Sequence, residues 1–218
     1  MTSYDAVVLA GGGGRRLGGV DKPGLEVDGR TLLDRVLAAV ADAGTVVVVG
    51  PVRPTVRPVV WAREDPPGGG PAAALAAGLL LVTAPSVVVL AADLPFLDTA
   101  TVALLRERAA GSDGALLVDD DGRDQVLTSC WTTARLRERA TGDLAGAPLR
   151  ALLRGLEPVR LPAPDPRAVQ DVDTPDDLAR ARRRLSPSPE RASGAAALPR
   201  PHPTQPQPDR GAARRGDR

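Results

Sequence analysis

The sequence predicts a three-layer α/β sandwich with a mostly parallel sheet, and three observations carry that expectation. Valine-rich runs without polar alternation recur at residues 6–10 (AVVLA), 46–49 (VVVV) and 87–91 (VVVLA), the pattern of strands buried on both faces. Helix-length segments separate them, so strand and helix alternate along the chain. A chain of 218 residues is also long enough to bury one full hydrophobic core.

Taken in order, the strand at 6–10 runs directly into a glycine-rich stretch, and a helix is expected over 32–43. Thr31 stands ahead of that helix as its cap, Asp34 is the third helical residue, and Gly44 supplies the stop. A short strand at 59–62 (VVWA) follows the run at 46–49, and helices over 72–82 and 99–110 flank the strand at 87–91. Weaker strands are expected at 114–118, 126–131 and 159–161. Thr174-Pro-Asp-Asp177 then reads as a cap, a proline in the first turn and acids at a helix start, with that last helix ending near Leu185.

From Ser186 onward the chain is rich in Pro, Arg, Ala and Gly, and Leu198 is its one large aliphatic residue, too little to bury a core. The expected organisation is one domain over 1–185 and a disordered Pro/Arg-rich tail over 186–218. Of the 28 basic and 27 acidic residues the tail takes six arginines and three acids, which leaves 22 basic and 24 acidic in the body. Such a body is no nucleic-acid binder. Cys130 is the single cysteine, which excludes an intrachain disulfide framework and fits a reducing compartment. No signal-peptide pattern and no long uncharged apolar run occurs, so a soluble cytoplasmic protein without membrane contact is expected. The one histidine, His202, lies in the tail, and histidine bases, triads and metal ligands are thereby removed. What remains is carboxylate, arginine, lysine and metal chemistry.

Lys22 is the only lysine beside 27 arginines, and it closes the most glycine-rich stretch of the chain, LAGGGGRRLGGVDK over 9–22. An ammonium is a compact point charge that fits among phosphate oxygens and a metal where the planar guanidinium fork does not. Glycines after a buried strand let backbone amides approach a ligand that a Cβ would fend off. The stretch is neither a P-loop, lacking Gly-Lys-Ser/Thr, nor the strict dinucleotide fingerprint. Phosphate or base binding, with Arg15, Arg16 and Lys22 around the strand's end, stands against a plain glycine-rich surface loop. Asp93 follows the strand at 87–91 and would emerge on the same sheet edge, as a magnesium ligand or as a turn former. Asp171 and Asp173 would share one side if extended, as further carboxylates near a metal or as caps of the last helix.

Three segments, LAGGxxRRLGGxDK ending at Lys22, A-D-L-P around Asp93 and DVDTPDDL from Asp171, together resemble the molybdenum cofactor guanylyltransferases, the MobA-like NTP transferases, over about residues 5–185. The resemblance implies a Rossmann-like nucleotidyltransferase fold, with GTP and molybdopterin as substrates. It further implies Mg2+ as cofactor and proteins that deliver or receive the molybdenum cofactor as partners. It assigns nucleotide binding to Leu9, Ala10, Gly11, Gly12, Lys22, Asp65 and Asp93, with Lys22, Arg16 and Asp93 as the catalytic set. Asp93 and Asp173 are the implied metal ligands, and Arg150, Asp171 and Asp173 the implied acceptor contacts. Related cytidylyltransferases tend to Thr-Ala-Ala-Gly where this chain reads Leu-Ala-Gly-Gly. Two departures stand out: Gly50 replaces a frequent asparagine, and Asp171-Val-Asp173 replaces Asn-Val-Asn. Transfer of another nucleotide or to another acceptor, CTP with molybdopterin or a sugar or alcohol phosphate, and nucleotide binding without turnover are the alternatives.

Overall fold

The computed structural model describes residues 3–11 and 19–186. Gly12, Arg16 and the expected tail beyond Ser186 lie outside the described residues. β1 (Tyr4–Leu9) leads to a short hairpin, β2 (Glu26–Val27) and β3 (Arg30–Thr31), turned by Asp28 and Gly29, both at positive φ. α1 (Leu32–Ala39), β4 (Val46–Val49), β5 (Val60–Ala62), α2 (Gly70–Leu79), β6 (Ser86–Ala91) and α3 (Thr99–Ala109) complete the first half. β7 (Gly114–Val118), β8 (Asp124–Thr132), α4 (Thr133–Arg139), β9 (Val159–Pro162) and α5 (Pro175–Leu185) follow.

Seven strands form one sheet in the order β5-β4-β1-β6-β8-β7-β9. β8 is antiparallel to both neighbours, and every other pairing is parallel. β1 is flanked by β4 on one side and β6 on the other, so the strand order reverses there; ligands of open α/β sheets bind outside such a reversal. Leu9 pairs with both Val49 and Ala91, which brings the exits of β4, β1 and β6 level on one edge.

Alternation along the strands splits the core. Ala6, Val8 and Val48 pack with Leu33, Val36 and Leu37 of α1 and Val102 and Leu105 of α3. Val7, Val47 and Val49 pack with Leu75 and Leu79 of α2 and Leu136 of α4. Helices thus cover both faces of the sheet, the expected three layers. A Cβ at Gly78 would stand 2.7 Å from Val7 and 2.9 Å from Val49, so glycine is what lets α2 lie this close to the sheet. A third cluster joins Val27 and Leu32 to Val172 and Ala181, docking α5 on the β2–β3 hairpin.

Three departures from the expected boundaries stand out. α1 stops at Ala39, because Val40 leaves helical backbone four residues before Gly44. α2 spans Gly70–Leu79 rather than 72–82; its entry is set by Pro71, and the chain tightens to 3-turn bonds after Gly78. β8 begins at Asp124 and carries an irregularity: Leu116 of β7 pairs with Ser129 but Leu117 with Gln125, so 126–128 bulge out of that pairing.

At the opposite edge Asp5 ties the sheet to two loops. Its carboxylate accepts from the amides of Thr45 (2.7 Å), Thr83 (2.7 Å) and Ala84 (2.9 Å) and is 2% exposed. Burial pushes this carboxyl up, but the Thr83, Ala84 and Thr45 amides outweigh it and hold it below the usual range.

Candidate active site

Lys22 opens a single 3-10 turn, Lys22–Gly24, after Asp21, and Pro23 is buried beneath it. From there its ammonium reaches across the sheet edge to two carboxylates. It pairs with Asp93, just past β6, and hydrogen-bonds to Asp173 Oδ1 at 2.6 Å, ahead of α5. The Lys22 side chain is 15% exposed and that of Asp93 17%, so this pairing sits largely out of water. Burial acts to lower the Lys22 pKa, but Asp93 and Asp173 outweigh it and raise it above the ordinary value.

Asp173 is placed by the helix that follows. Thr174 caps α5 through the Asp177 amide while Asp177 returns to the Thr174 amide, a reciprocal capping box. The cap is therefore Thr174, and the Asp173 side chain is left to face Lys22. The Val172 amide donates to the Asp93 carbonyl at 3.2 Å, stitching the two carboxylate-bearing segments together. Asp171 completes a group in which carboxylate oxygens of Asp93, Asp171 and Asp173 lie within 4.8 Å of one another. Desolvation and the carboxylates of Asp173 and Asp93 push the Asp171 carboxyl up. Since Asp171 is an exposed residue, the neighbouring like charges weigh more than burial there.

The group fits a hard divalent cation. Asp93 Oδ1 is buried with no hydrogen-bond partner among the described residues, an acceptor left for something else. Magnesium takes carboxylate oxygens, and the three side chains drawn in around one ion would give it an all-oxygen donor set.

Two clefts meet at Asp93's strand. One, of about 520 Å³, is lined by Leu9, Gly11, Gly50, Glu64, Gly70 and Asp93 among others. Its volume suits a small ligand, and Gly70 and Pro71 at the start of α2 form part of its wall. A Cβ at Gly50 would lie 2.6 Å from the Ala10 carbonyl oxygen, so the exits of β1 and β4 meet backbone to backbone. The second cleft, about 540 Å³, is lined by Asp119, Asp120, Asp121, Gln125, Thr128 and Asp171 among others. Ala91 and Leu127 line both clefts, so the bulge of β8 forms part of the partition.

Leu9, Gly11 and Asp93 line the first cleft; Ala10 is buried behind it. Asp65 is exposed and absent from that lining, where Glu64 stands instead, its Oε1 accepting from the Gly68 amide at 3.0 Å. Arg150 is brought into neither cleft; it lines a separate groove with Arg123, Arg154 and Arg160. Glu64 and Arg63 are the cleft residues that sequence reasoning passed over. Glu64 and Asp65 are adjacent acids just past β5, and the sequence does not fix which one faces the ligand.

Residues 6–160 match the family model for the MobA-like NTP transferase domain. The chain belongs to that family. The matched stretch holds Lys22 and Asp93 and stops short of Asp171 and Asp173. Relatives of this MobA-like domain include a molybdenum cofactor guanylyltransferase of Acidiphilium cryptum, 64% identical over 36 residues, 16% of this chain and 18% of that one. A probable molybdenum cofactor guanylyltransferase of Methanosarcina acetivorans is 36% identical over 130 residues, 52% of this chain and 56% of that one. The chain thus spans less than two thirds of either curated relative it matches. Among solved structures, molybdopterin-guanine dinucleotide biosynthesis protein A of Archaeoglobus fulgidus superposes with TM-score 0.64 at 25% identity, covering 84% of this chain and 98% of that one. The 2-C-methyl-D-erythritol 4-phosphate cytidylyltransferase of Thermus thermophilus shares the fold: TM-score 0.60, 24% identity, covering 81% and 96%. Among the described residues no helix is long and apolar enough to cross a membrane.

Proposed function

We propose that the protein is a cytoplasmic enzyme that transfers GMP from GTP to the terminal phosphate of molybdopterin, releasing pyrophosphate. One observation carries the reading: the only lysine meets Asp93 and Asp173 at the sheet's reversal point, beside a glycine-walled cleft of about 520 Å³. The names of the relatives supply the base and the acceptor.

An oxygen of the acceptor phosphate attacks the α-phosphorus of GTP as the bond from that phosphorus to the bridging oxygen of pyrophosphate breaks. A phosphate nucleophile is already ionised at neutral pH, so no general base is required, in keeping with a body without histidine. Catalysis then consists of positioning and charge neutralisation. The first cleft takes the nucleotide: the Leu9–Gly11 backbone and the Glu64 carboxylate face guanine, whose N1 and N2 donors suit an acceptor. Lys22 stands where charge grows toward pyrophosphate, with Arg16 supplying a second cation from the glycine-rich stretch. Asp93 and Asp173, with Asp171 beside them, would hold Mg2+, which would supply positive charge to neutralise the phosphates. The acceptor enters from the second cleft, and the acidic lining there makes cation neutralisation a condition for admitting its phosphate. Arg150 contacts only an acceptor long enough to reach its groove.

The test is incubation with molybdopterin, Mg2+ and each of GTP, CTP, ATP and UTP, scored for pyrophosphate and dinucleotide product. Turnover with GTP alone supports the reading. Turnover with CTP overturns the base assignment, and nucleotide binding without pyrophosphate overturns the enzyme assignment.

A further inference from the structure

Arg53 lies in the loop between β4 and β5, lines neither cleft, and has no part in the chemistry above. Its guanidinium nevertheless joins two distant points. One terminal nitrogen donates to the Ala10 carbonyl at 3.3 Å and the other to Asp21 Oδ1 at 2.8 Å. Ala10 and Asp21 are the residues on either side of the segment 11–20, so one side chain bridges the entry and the exit of the glycine-rich stretch. The side chain is 10% exposed, and its Nε is buried with no partner among the described residues. Burying a guanidinium with an N–H unsatisfied costs free energy that a solvent-facing rotamer would avoid. The two bonds it does make offset that cost.

The loop that carries Arg53 is itself fixed. Asp34 Oδ1 accepts from the Val56 amide at 2.9 Å, and Arg57 donates to the Val40 carbonyl at 2.9 Å, anchoring the loop to α1. Pro54 follows Arg53 and restricts its backbone to extended conformations. On the other side, Asp21 is the cap position of the 3-10 turn that begins at Lys22, and its carbonyl accepts from Gly24 at 3.0 Å. Holding Asp21 holds the point from which the Lys22 side chain departs.

We propose that Arg53 is a positioning residue that ties Ala10, at the end of β1, to Asp21, at the start of the Lys22 turn, before nucleotide arrives, fixing where phosphates meet Lys22. Its kinetic consequence rests on the nucleotidyl-transfer reading; the clamp itself does not. A Lys22 turn held in place in advance spends less binding free energy on positioning, so loss of the clamp weakens nucleotide binding and leaves the bound state able to react.

Three variants test this: Arg53→Gln, Arg53→Lys and Asp21→Asn, with the Gln and Asn changes also combined. Arg53→Gln is expected to raise the GTP KM about tenfold to a hundredfold, the range for losing a charge-assisted bond pair, with kcat little changed. Asp21→Asn should raise KM less and add nothing in the double variant, because Arg53→Gln already removes the one bond that Asp21→Asn weakens. Arg53→Lys, which retains one of the two bonds, should fold as the wild type does and fall between. In the protein without nucleotide, amides of residues 19–25 should exchange hydrogen faster in Arg53→Gln. Wild-type KM and unchanged exchange in that variant would overturn the proposal, as would additive effects with Asp21→Asn. If the wild-type protein turns over no nucleotide, the functional reading falls, and the exchange measurement alone decides the clamp.

Discussion

Replacing Lys22 with methionine separates the electrostatic role of the ammonium from its bulk. In the free protein the change strands the Asp93, Asp171 and Asp173 carboxylates, with oxygens within 4.8 Å of one another, without their cation. At an effective dielectric constant of about 20, two like charges at that spacing repel by about 3.5 kcal/mol. Solvent screens Asp173, 41% exposed, and the exposed Asp171, so a net destabilisation of about 2–3 kcal/mol is expected near neutral pH. For a folded body of this size that corresponds to a melting temperature lower by about 4–12 °C. Added Mg2+ should recover more of the melting temperature in the variant than it adds to the wild type, because the ammonium no longer competes for the same oxygens. Turnover should fall about 10²- to 10³-fold, and Lys22→Arg should not restore it, since a guanidinium fork does not fit where an ammonium does. Thermal melts with and without Mg2+, and pyrophosphate release, read these effects. An unaltered melting temperature without any Mg2+-dependent gain, or full turnover in Lys22→Arg, would refute the reasoning.

Asp93→Ala should abolish Mg2+-dependent pyrophosphate release while the circular dichroism spectrum stays that of the wild type; undiminished release would remove Asp93 from the chemistry. Asp5→Asn should cost about 2–4 kcal/mol at pH 7 in urea unfolding, since an amide cannot accept from all three buried N–H groups. The Asp5 carboxyl is held below the usual carboxylate range, so its contribution is present above that range and is lost as pH falls through the lower folded value. The gap between wild type and variant should therefore close only under acid conditions; a gap constant with pH would contradict this. Burial pushes the Cys130 thiol up to about 12, so a thiol reagent at pH 8 should label it only after unfolding.

Much of the sheet is readable from the chain because its strands are buried on both faces: short β-branched runs, VVVV at 46–49 and VVVLA at 87–91, are too short for helices and suit buried strands. The caps at Thr31 and Thr174 were equally legible, since the chemistry that fixes them lies within four residues. The β2–β3 hairpin is marked by Asp28-Gly29, but strands of two residues carry no periodicity. α4 escapes because only Thr133 and Leu136 are buried, so no apolar stripe announces it. At the site, Lys22 and Asp93 announce themselves by composition and by position at strand ends. Whether Asp173 caps the last helix or faces Lys22 is decided by Thr174, whose hydroxyl takes the capping role. Arg53 has no local signature beyond its flanking prolines, because both of its partners are more than 30 residues away in sequence.

The bond between Lys22 and Asp173 spans 151 positions of the chain, nearly the whole folded body. Every sheet strand precedes Asp173, and the segment that brings it in is seated by Val172 on the Asp93 carbonyl and by Ala181 against Val27 and Leu32. A nascent chain can therefore complete its sheet while its charge centre is still open, and closing of the site waits on docking of the last helix. A truncation just before Asp171 should leave a sheet-forming protein whose lysine faces Asp93 alone.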